Sequence, residues 1–192
     1  MNPDLKQLHE TIRILGAINR NDVSIDVAHV ALIHSLVISC KPASILELGL
    51  GTGFSTLALF MGMQFNARGS LTVVDDYTDW GGQEPEIVSQ IVQLSGVKHI
   101  NASEREFVTN APNATYDFIL SDADHWGDWQ EEHLRITRKG GVIAFHDTNN
   151  PDFPNLHRVE RLLLSRGIPH RHFTESSRQD ERCERGLLVA FL

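Results

Sequence analysis

The sequence predicts an α/β fold with a doubly wound, mostly parallel seven-stranded sheet, preceded by an N-terminal helical extension. The first supporting observation is that short apolar runs typical of strands alternate with amphipathic runs typical of helices. The second is a glycine-rich turn between the first strand and the helix that follows it. Because a chain that alternates in this way forms parallel βαβ units, the fold class follows from the order of the elements.

Seven short apolar runs predict the strands of this sheet. In the fifth strand, Gly140 and Gly141 are expected to form the turn that leads into the apolar run. In chain order the predicted strands cover residues 44–48, 70–74, 97–100, 116–120, 142–145, 168–173 and 186–192.

Apolar residues spaced three or four positions apart predict the helices. The second helix carries an apolar stripe from Val27 to Cys40; we expect Asp22 or Ser24 to cap it and Pro42 to end it. The other predicted helices cover residues 5–18, 54–63, 84–94, 104–110, 129–137 and 153–165.

The length and composition predict one domain. The chain has 192 residues with 41% hydrophobic content, which is ordinary for a single core. Charged residues make up 22% and apolar residues are not depleted, so a disordered chain is excluded. We expect one domain over 1–192, with a helical extension over 1–41 and a cofactor-binding α/β core over 42–192.

The charge pattern and the termini argue against two classes of partner. The formal net charge is −8 and no long basic run is present, so nucleic acid is not expected to bind. The most apolar stretch, 27–40, contains histidines and is too short to span a bilayer, so no membrane is expected. The polar N-terminus is unlike a signal peptide, and the two cysteines, Cys40 and Cys183, suit a reducing compartment. We therefore expect a cytoplasmic protein.

The segment 47–53, Glu-Leu-Gly-Leu-Gly-Thr-Gly, is the strongest chemical signal. Its glycines allow a tight turn and a close approach of the backbone to a ligand. The helix that begins after them offers free N–H groups and a partial positive charge, which suits a nucleotide-like or carboxylate-bearing cofactor. Asp75, about twenty residues further on at the end of the second strand, is placed to bind ribose hydroxyls, and Asp76 is the neighbouring candidate.

The spacing of the glycines distinguishes between two cofactor classes. Here they alternate as G-x-G-x-G, whereas dinucleotide binders carry G-x-G-x-x-G. A nicotinamide-dependent oxidoreductase on a similar fold is therefore the weaker alternative.

An acidic residue followed by G-x-G-x-G after the first strand resembles the class I S-adenosylmethionine-dependent methyltransferases. Segment 44–56 is especially similar to their O-methyltransferases of the catechol and caffeoyl-CoA type. Segment 117–125, Asp-Phe-Ile-Leu-Ser-Asp-Ala-Asp-His, resembles their fourth-strand motif, and segment 139–148, Lys-Gly-Gly-Val-Ile-Ala-Phe-His-Asp-Thr, resembles their fifth. The resemblance covers roughly 45–149. It implies a Rossmann-like fold and transfer of a methyl group to a hydroxyl of a small molecule.

The resemblance also implies a cofactor site. The glycine loop would surround the methionine part of S-adenosylmethionine, Glu47 would order the loop or its ligands, and Asp75 would hold the ribose. Ser103 is carried over as a neighbour of the adenine, although the chain lacks the Gly-Asp pair common just before it. The residues so implied are Glu47, Gly49, Gly51, Gly53, Asp75, Ser103 and Asp122.

Many O-methyltransferases of this group bind a divalent cation, and the resemblance places its ligands at Asp122, His146 and Asp147. The family pair at the fifth strand is usually Asp-Asn, Asp-Asp or Glu-Asp, so His146 departs from the pattern. An imidazole ligand favours a transition metal over magnesium. The departure is also consistent with loss of the metal, or with His146 lying behind Asp147 rather than binding, and the sequence leaves these alternatives open.

The resemblance implies that His125, three residues after Asp122, is the general base, since an imidazole titrates near neutrality and metal-dependent relatives carry Lys or His at that spacing. Asp122 is the second implied catalytic residue. Trp80, Trp126 and Trp129 are candidate aromatic walls for the acceptor, or else they pack the domain. The N-terminal helices either cap the substrate or form a homodimer. A module that binds S-adenosylmethionine without catalysis is a further alternative.

Overall fold

The computed structural model describes residues 25–78, 81–82, 89, 93–124, 126–174 and 185–192. Several predicted features lie outside these residues: helix 5–18, most of helix 84–94, the caps Asp22 and Ser24, Trp80, Cys183 and His125. In the described residues, the helices are α1 Val27–Cys40, α2 Phe54–Phe65, α3 Glu104–Asn110, α4 Gln130–Ile136 and α5 His157–Ser165. The strands are β1 Ser44–Leu48, β2 Ser70–Val74, β3 Val97–Ile100, β4 Tyr116–Ser121, β5 Thr137–His146, β6 His170–Phe173 and β7 Leu187–Phe191.

The seven strands form one sheet in the order β3-β2-β1-β4-β5-β7-β6. The first five strands are parallel, and β7 runs antiparallel between β5 and β6. This confirms the predicted α/β class with a mostly parallel sheet. The chain builds outward from β1 to β3 and then returns to place β4 on the other side of β1, so the strand order reverses between β1 and β4. Ligands bind beyond the carboxyl ends of the strands at such a reversal.

Two hydrophobic clusters cover the two faces of the sheet. On one face α1 and α2 pack on β1 through Val30, Ile33 and Leu59, which are fully buried or nearly so, as is Ile45 of the strand. On the other face α3, α4 and α5 pack through buried residues that include Val108, Ile136, Val159 and Leu163. Because neighbouring strand residues point to opposite faces, each central strand contributes to both clusters. None of the described helices is long and apolar enough to cross a membrane.

Helix and strand boundaries differ from the prediction at several places, among them the cap of α1 and the starts of β5 and α5. Asp26 caps α1, with its carboxylate accepting a hydrogen bond from the Ala28 N–H at 2.8 Å. Strand β5 starts at Thr137, so Gly140 and Gly141 lie within it, at an irregularity in its register with β4. Helix α5 starts at His157 rather than at 153. Pro154 accounts for this delay because the residue before a proline is disfavoured in helical conformation.

Candidate functional site

The glycine loop lies between β1 and α2 and packs directly on the chain that follows β4. Gly49, Gly51 and Gly53 all have positive φ angles, of 90°, 51° and 75°. A Cβ atom at Gly49 would lie 2.1 Å from the carbonyl oxygen of Asp122. Glycine is therefore required at position 49, and its contact with Asp122 brings two of the predicted site segments together.

Asp75, at the carboxyl end of β2, holds the glycine loop in place. Its Oδ2 atom accepts hydrogen bonds from the Leu50 N–H at 2.7 Å and from the Gly51 N–H at 3.2 Å, and its Oδ1 atom accepts one from the Tyr77 N–H at 2.7 Å. Asp76 bonds only locally in the described contacts, accepting from the Thr78 N–H at 3.0 Å. Of the two neighbouring candidates, Asp75 is the one that contacts the loop.

Glu47 lies behind the loop with an exposed fraction of 0%. Its Oε1 atom accepts a hydrogen bond of 2.5 Å from the Ser55 hydroxyl at the start of α2. Burial raises the pKa of this carboxyl from 4.5 to about 8. The negative charges of Asp122 and Asp75 also raise the pKa, whereas hydrogen bonds from Ser55 and Thr56 lower it. Glu47 is thus protonated near neutral pH and connects β1 to α2.

Asp122, His146 and Asp147 meet where β4 and β5 end. The Nδ1 atom of His146 lies 2.8 Å from Oδ1 of Asp122 and 3.5 Å from Oδ1 of Asp147. His146 is only 1% exposed. Burial by itself lowers its pKa, but the Asp122 and Asp147 carboxylates outweigh burial and raise the pKa above the ordinary value. Asp147 has a φ of 54°, an uncommon angle for a residue other than glycine, and such strained backbone concentrates at functional sites.

The same three side chains have a donor set that fits a divalent cation. Their candidate ligand atoms all lie within 4.8 Å of one another, and no second group of His, Cys, Asp or Glu meets this criterion in the part of the chain that the structure describes. Two carboxylates and an imidazole suit manganese, iron, nickel or zinc better than magnesium. The ring of His29 from α1 packs edge-on against that of His146, with centroids 5.4 Å apart, so α1 closes one side of the site.

Comparison with known proteins identifies the family. A family model described as a methyltransferase domain matches residues 46–148, which is more than half of the chain and includes the glycine loop, Asp75, Asp122 and His146-Asp147. The chain belongs to this methyltransferase family.

Curated relatives of this methyltransferase domain include O-methyltransferases. A probable O-methyltransferase of Mycobacterium tuberculosis is 32% identical over 113 residues, which cover 54% of this chain and 46% of the relative. A probable caffeoyl-CoA O-methyltransferase of Dictyostelium discoideum is 26% identical over 136 residues, covering 60% and 52%. The chain thus spans about half the length of the curated relatives it matches.

Solved structures share the fold over nearly the whole methyltransferase chain. An O-methyltransferase from Bacillus cereus, in complex with S-adenosylhomocysteine, superposes with a TM-score of 0.69 at 17% identity, covering 97% of this chain and 91% of that one. The O-methyltransferase TomG of Streptomyces achromogenes, in complex with S-adenosylmethionine, has a TM-score of 0.69 at 15% identity, covering 97% and 89%.

The other predicted site residues of the methyltransferase domain take different positions. Ser103 follows β3, and its hydroxyl caps α3 by accepting from the Glu106 N–H at 3.2 Å. Trp126 is 66% exposed and stands edge-on to Phe153, with centroids 5.5 Å apart. Trp129 instead packs into the domain, where its indole N–H donates to Asp124 at 3.1 Å.

Sequence reasoning missed a buried pair beside the site. His133 of α4 places its Nε2 atom 2.7 Å from Oε1 of Glu104 in α3, and both side chains are almost fully buried. Glu104 looked like an ordinary acidic residue in the first turn of a helix, and His133 stands among charged residues that predict a solvated helix face. The available signal was that Glu104, a charged residue, lies on the apolar side of a short helix, since buried charges require partners.

His172 of β6 lines a small cavity. The cavity, of about 140 Å³, is lined by residues of the segment after β5, α5, β6 and β7. The Nε2 atom of His172 lies 2.9 Å from the Thr148 hydroxyl. Burial lowers the pKa of His172, with Glu160 opposing and His170 and His157 adding to the decrease. The contact with Thr148 accounts for the orientation of the His172 ring.

Proposed function

We propose that this methyltransferase domain transfers a methyl group from S-adenosylmethionine to a hydroxyl of a small molecule, with a divalent cation held by Asp122, His146 and Asp147. The observation that carries the proposal is the contact between Gly49 and the Asp122 backbone. This contact places the glycine loop, which suits the cofactor, directly beside Asp122, which suits the acceptor. In-line transfer requires that cofactor and acceptor lie close together.

The cofactor would be bound by the loop and the acids around it. Gly49, Gly51 and Gly53 remove Cβ atoms from the approach to the backbone, and the loop ends at the start of α2, whose N-terminus carries a partial positive charge. Asp75 is proposed to hold the ribose hydroxyls, and Ser103 to lie beside the adenine. The relatives in complex with S-adenosylmethionine or its demethylated product support this choice of cofactor.

The chain's own residues would then orient the acceptor and remove its proton. When bound, a divalent cation supplies Lewis-acid chemistry that lowers the pKa of an acceptor hydroxyl. His125, which follows Asp124 in the chain and lies outside the described residues, is proposed to accept the hydroxyl proton. The acceptor oxygen forms a bond to the methyl carbon while the carbon–sulfur bond breaks. The products are a methyl ether and S-adenosylhomocysteine.

Calorimetry tests the cofactor assignment. The wild-type chain should bind S-adenosylhomocysteine, and Asp75→Ala should weaken binding about tenfold or more, since a charged acceptor of several hydrogen bonds is lost. Asp76→Ala is the matched control, because Asp76 does not contact the loop in the described structure. Binding of NAD in place of S-adenosylhomocysteine would reject the proposal in favour of an oxidoreductase.

Activity separates an enzyme from a binding module. Transfer of labelled methyl groups should be measured on a panel of catechols and sugar alcohols, with and without a chelator. Metal assistance predicts that chelator and Asp122→Ala both abolish transfer, and that manganese restores it only in the wild type. Tight binding of S-adenosylhomocysteine without any transfer on the panel would favour the non-catalytic module.

A further inference from the structure

Glu104, the first residue of α3, is a buried carboxylate with partners on two other elements. Its Oε2 atom accepts a hydrogen bond of 2.7 Å from the Asp124 N–H. Its Oε1 atom accepts one of 3.3 Å from the Ser121 hydroxyl and lies 2.7 Å from Nε2 of His133. One side chain thus connects α3, α4, the end of β4 and the segment that follows it.

Two partners of Glu104, Ser121 and Asp124, lie on either side of Asp122 in the chain. Ser121 is the last residue of β4, and Asp124 is two residues beyond Asp122. The Asp122 N–H also donates to the Leu48 carbonyl at 2.8 Å, and the Asp122 carbonyl packs against Gly49. The backbone of Asp122 is therefore fixed from β1 and from α3 together.

Asp124 extends these contacts along the chain. Its Oδ1 atom accepts from the Trp126 N–H at 3.1 Å and from the Gly127 N–H at 3.0 Å, and its Oδ2 atom accepts from the Trp129 indole at 3.1 Å. The Asp124 carboxylate thus holds Trp126, on the other side of position 125. The Asp124 N–H in turn donates to Glu104.

We propose that Glu104 is a positioning residue for methyl transfer, paired with His133, and that it sets the backbone of residues 121–124 so that Asp122 faces the cation and the acceptor. The inference rests on the function proposed above. A buried pair of this kind is often no more stabilising than apolar residues of the same volume, so stability alone is a weak reason for Glu104 at this site. The hydrogen bonds on both sides of Asp122 supply a specific reason.

A matched pair of substitutions separates geometry from charge. Glu104→Gln keeps the length of the side chain and an oxygen for the Asp124 N–H but removes the charge. Glu104→Asp keeps the charge but shortens the side chain by one methylene, so it cannot reach both partners. Glu106→Asp is the control, because Glu106 is on the same helix and is exposed.

Two readouts are compared for these variants: hydrogen exchange of peptides spanning residues 121–129, and affinity for Mn²⁺ by electron paramagnetic resonance. Glu104→Asp should speed exchange about tenfold and weaken Mn²⁺ binding about tenfold, as loss of a residue that orients a metal ligand does. Glu104→Gln should stay within about threefold of the wild type in exchange rate and in Mn²⁺ affinity. Glu106→Asp should match the wild type in both quantities.

The opposite order, with Gln more damaging than Asp, would overturn the positioning role in favour of a charge effect. Unchanged exchange in Glu104→Asp would also overturn it, as would global unfolding of that variant while Glu104→Gln stays folded. If the wild type binds no Mn²⁺, the metal assignment fails, and exchange at residues 121–129 still decides the role of Glu104.

Discussion

The buried carboxyl of Glu47 predicts that the domain loses stability as the pH rises from about 5 to about 8. In the folded chain, burial raises the pKa of Glu47 from 4.5 to about 8. In the unfolded chain the carboxyl ionises near its ordinary value. Between these two values the unfolded chain has released a proton that the folded chain retains, so each step up in pH favours unfolding.

The size of this effect follows from the two pKa values. Since one pH unit is worth about 1.4 kcal/mol per proton, the interval from 4.5 to about 8 corresponds to about 5 kcal/mol as an upper limit. Glu47→Gln removes the titration and keeps a carbonyl oxygen that accepts the Ser55 hydroxyl. The free energy of unfolding of Glu47→Gln should therefore fall less with rising pH than that of the wild type.

Urea unfolding of both chains at about pH 5 and about pH 8 measures the effect. The free energy of unfolding should decline by about 3–5 kcal/mol more in the wild type than in Glu47→Gln, because titrating groups that are not coupled to Glu47 cancel in the subtraction. Glu106→Gln, which changes an exposed carboxyl of α3, should behave like the wild type. A difference below about 1 kcal/mol would refute the reasoning and show that Glu47 is ionised in the folded chain.

Four further substitutions test local geometry. Gly49→Ala should lower the free energy of unfolding by about 2–4 kcal/mol in urea, since its Cβ would meet the Asp122 carbonyl, whereas Gly51→Ala, whose Cβ meets nothing within 4 Å, should cost about 1 kcal/mol. Asp26→Ala should cost about 1 kcal/mol through the lost cap of α1, and an unchanged urea midpoint would contradict this. Burial alone would raise the pKa of Asp117, but hydrogen bonds from Arg138, Ser44 and Ala43 lower it. Asp117→Ala should therefore cost about 1–3 kcal/mol at neutral pH and progressively less as the pH falls through the folded pKa.

The parallel strands could be predicted closely because their signal is local. Strands β1, β2 and β3 coincide with the predicted runs 44–48, 70–74 and 97–100. The start of β5 could not be predicted, because Thr137, Arg138 and Lys139 are polar and two glycines follow them. Pairing with β4 through an irregular register extends the strand over these residues. Tertiary pairing thus overrides a turn signal that is correct in isolation.

The site could be predicted where topology alone brings residues together. The carboxyl ends of parallel strands meet at one edge, so Asp75, Asp122 and His146-Asp147 were expected near the glycine loop, and the structure places them there. Glu104 and His133 come from the faces of two helices, and their pairing depends on how α3 and α4 pack. No spacing in the sequence records that packing.

The acids at this edge are each accommodated by a different physical means. Glu47 is neutralised by its raised pKa. Asp75 is satisfied by three backbone N–H groups. Asp122 and Asp147 face the imidazole of His146, and the Nε atom of Arg185 lies 3.8 Å from Oδ1 of Asp147. Each acid is therefore compensated by groups of the chain itself, and a divalent cation at this edge would compete with the proton on His146, because an imidazole ligand must be deprotonated.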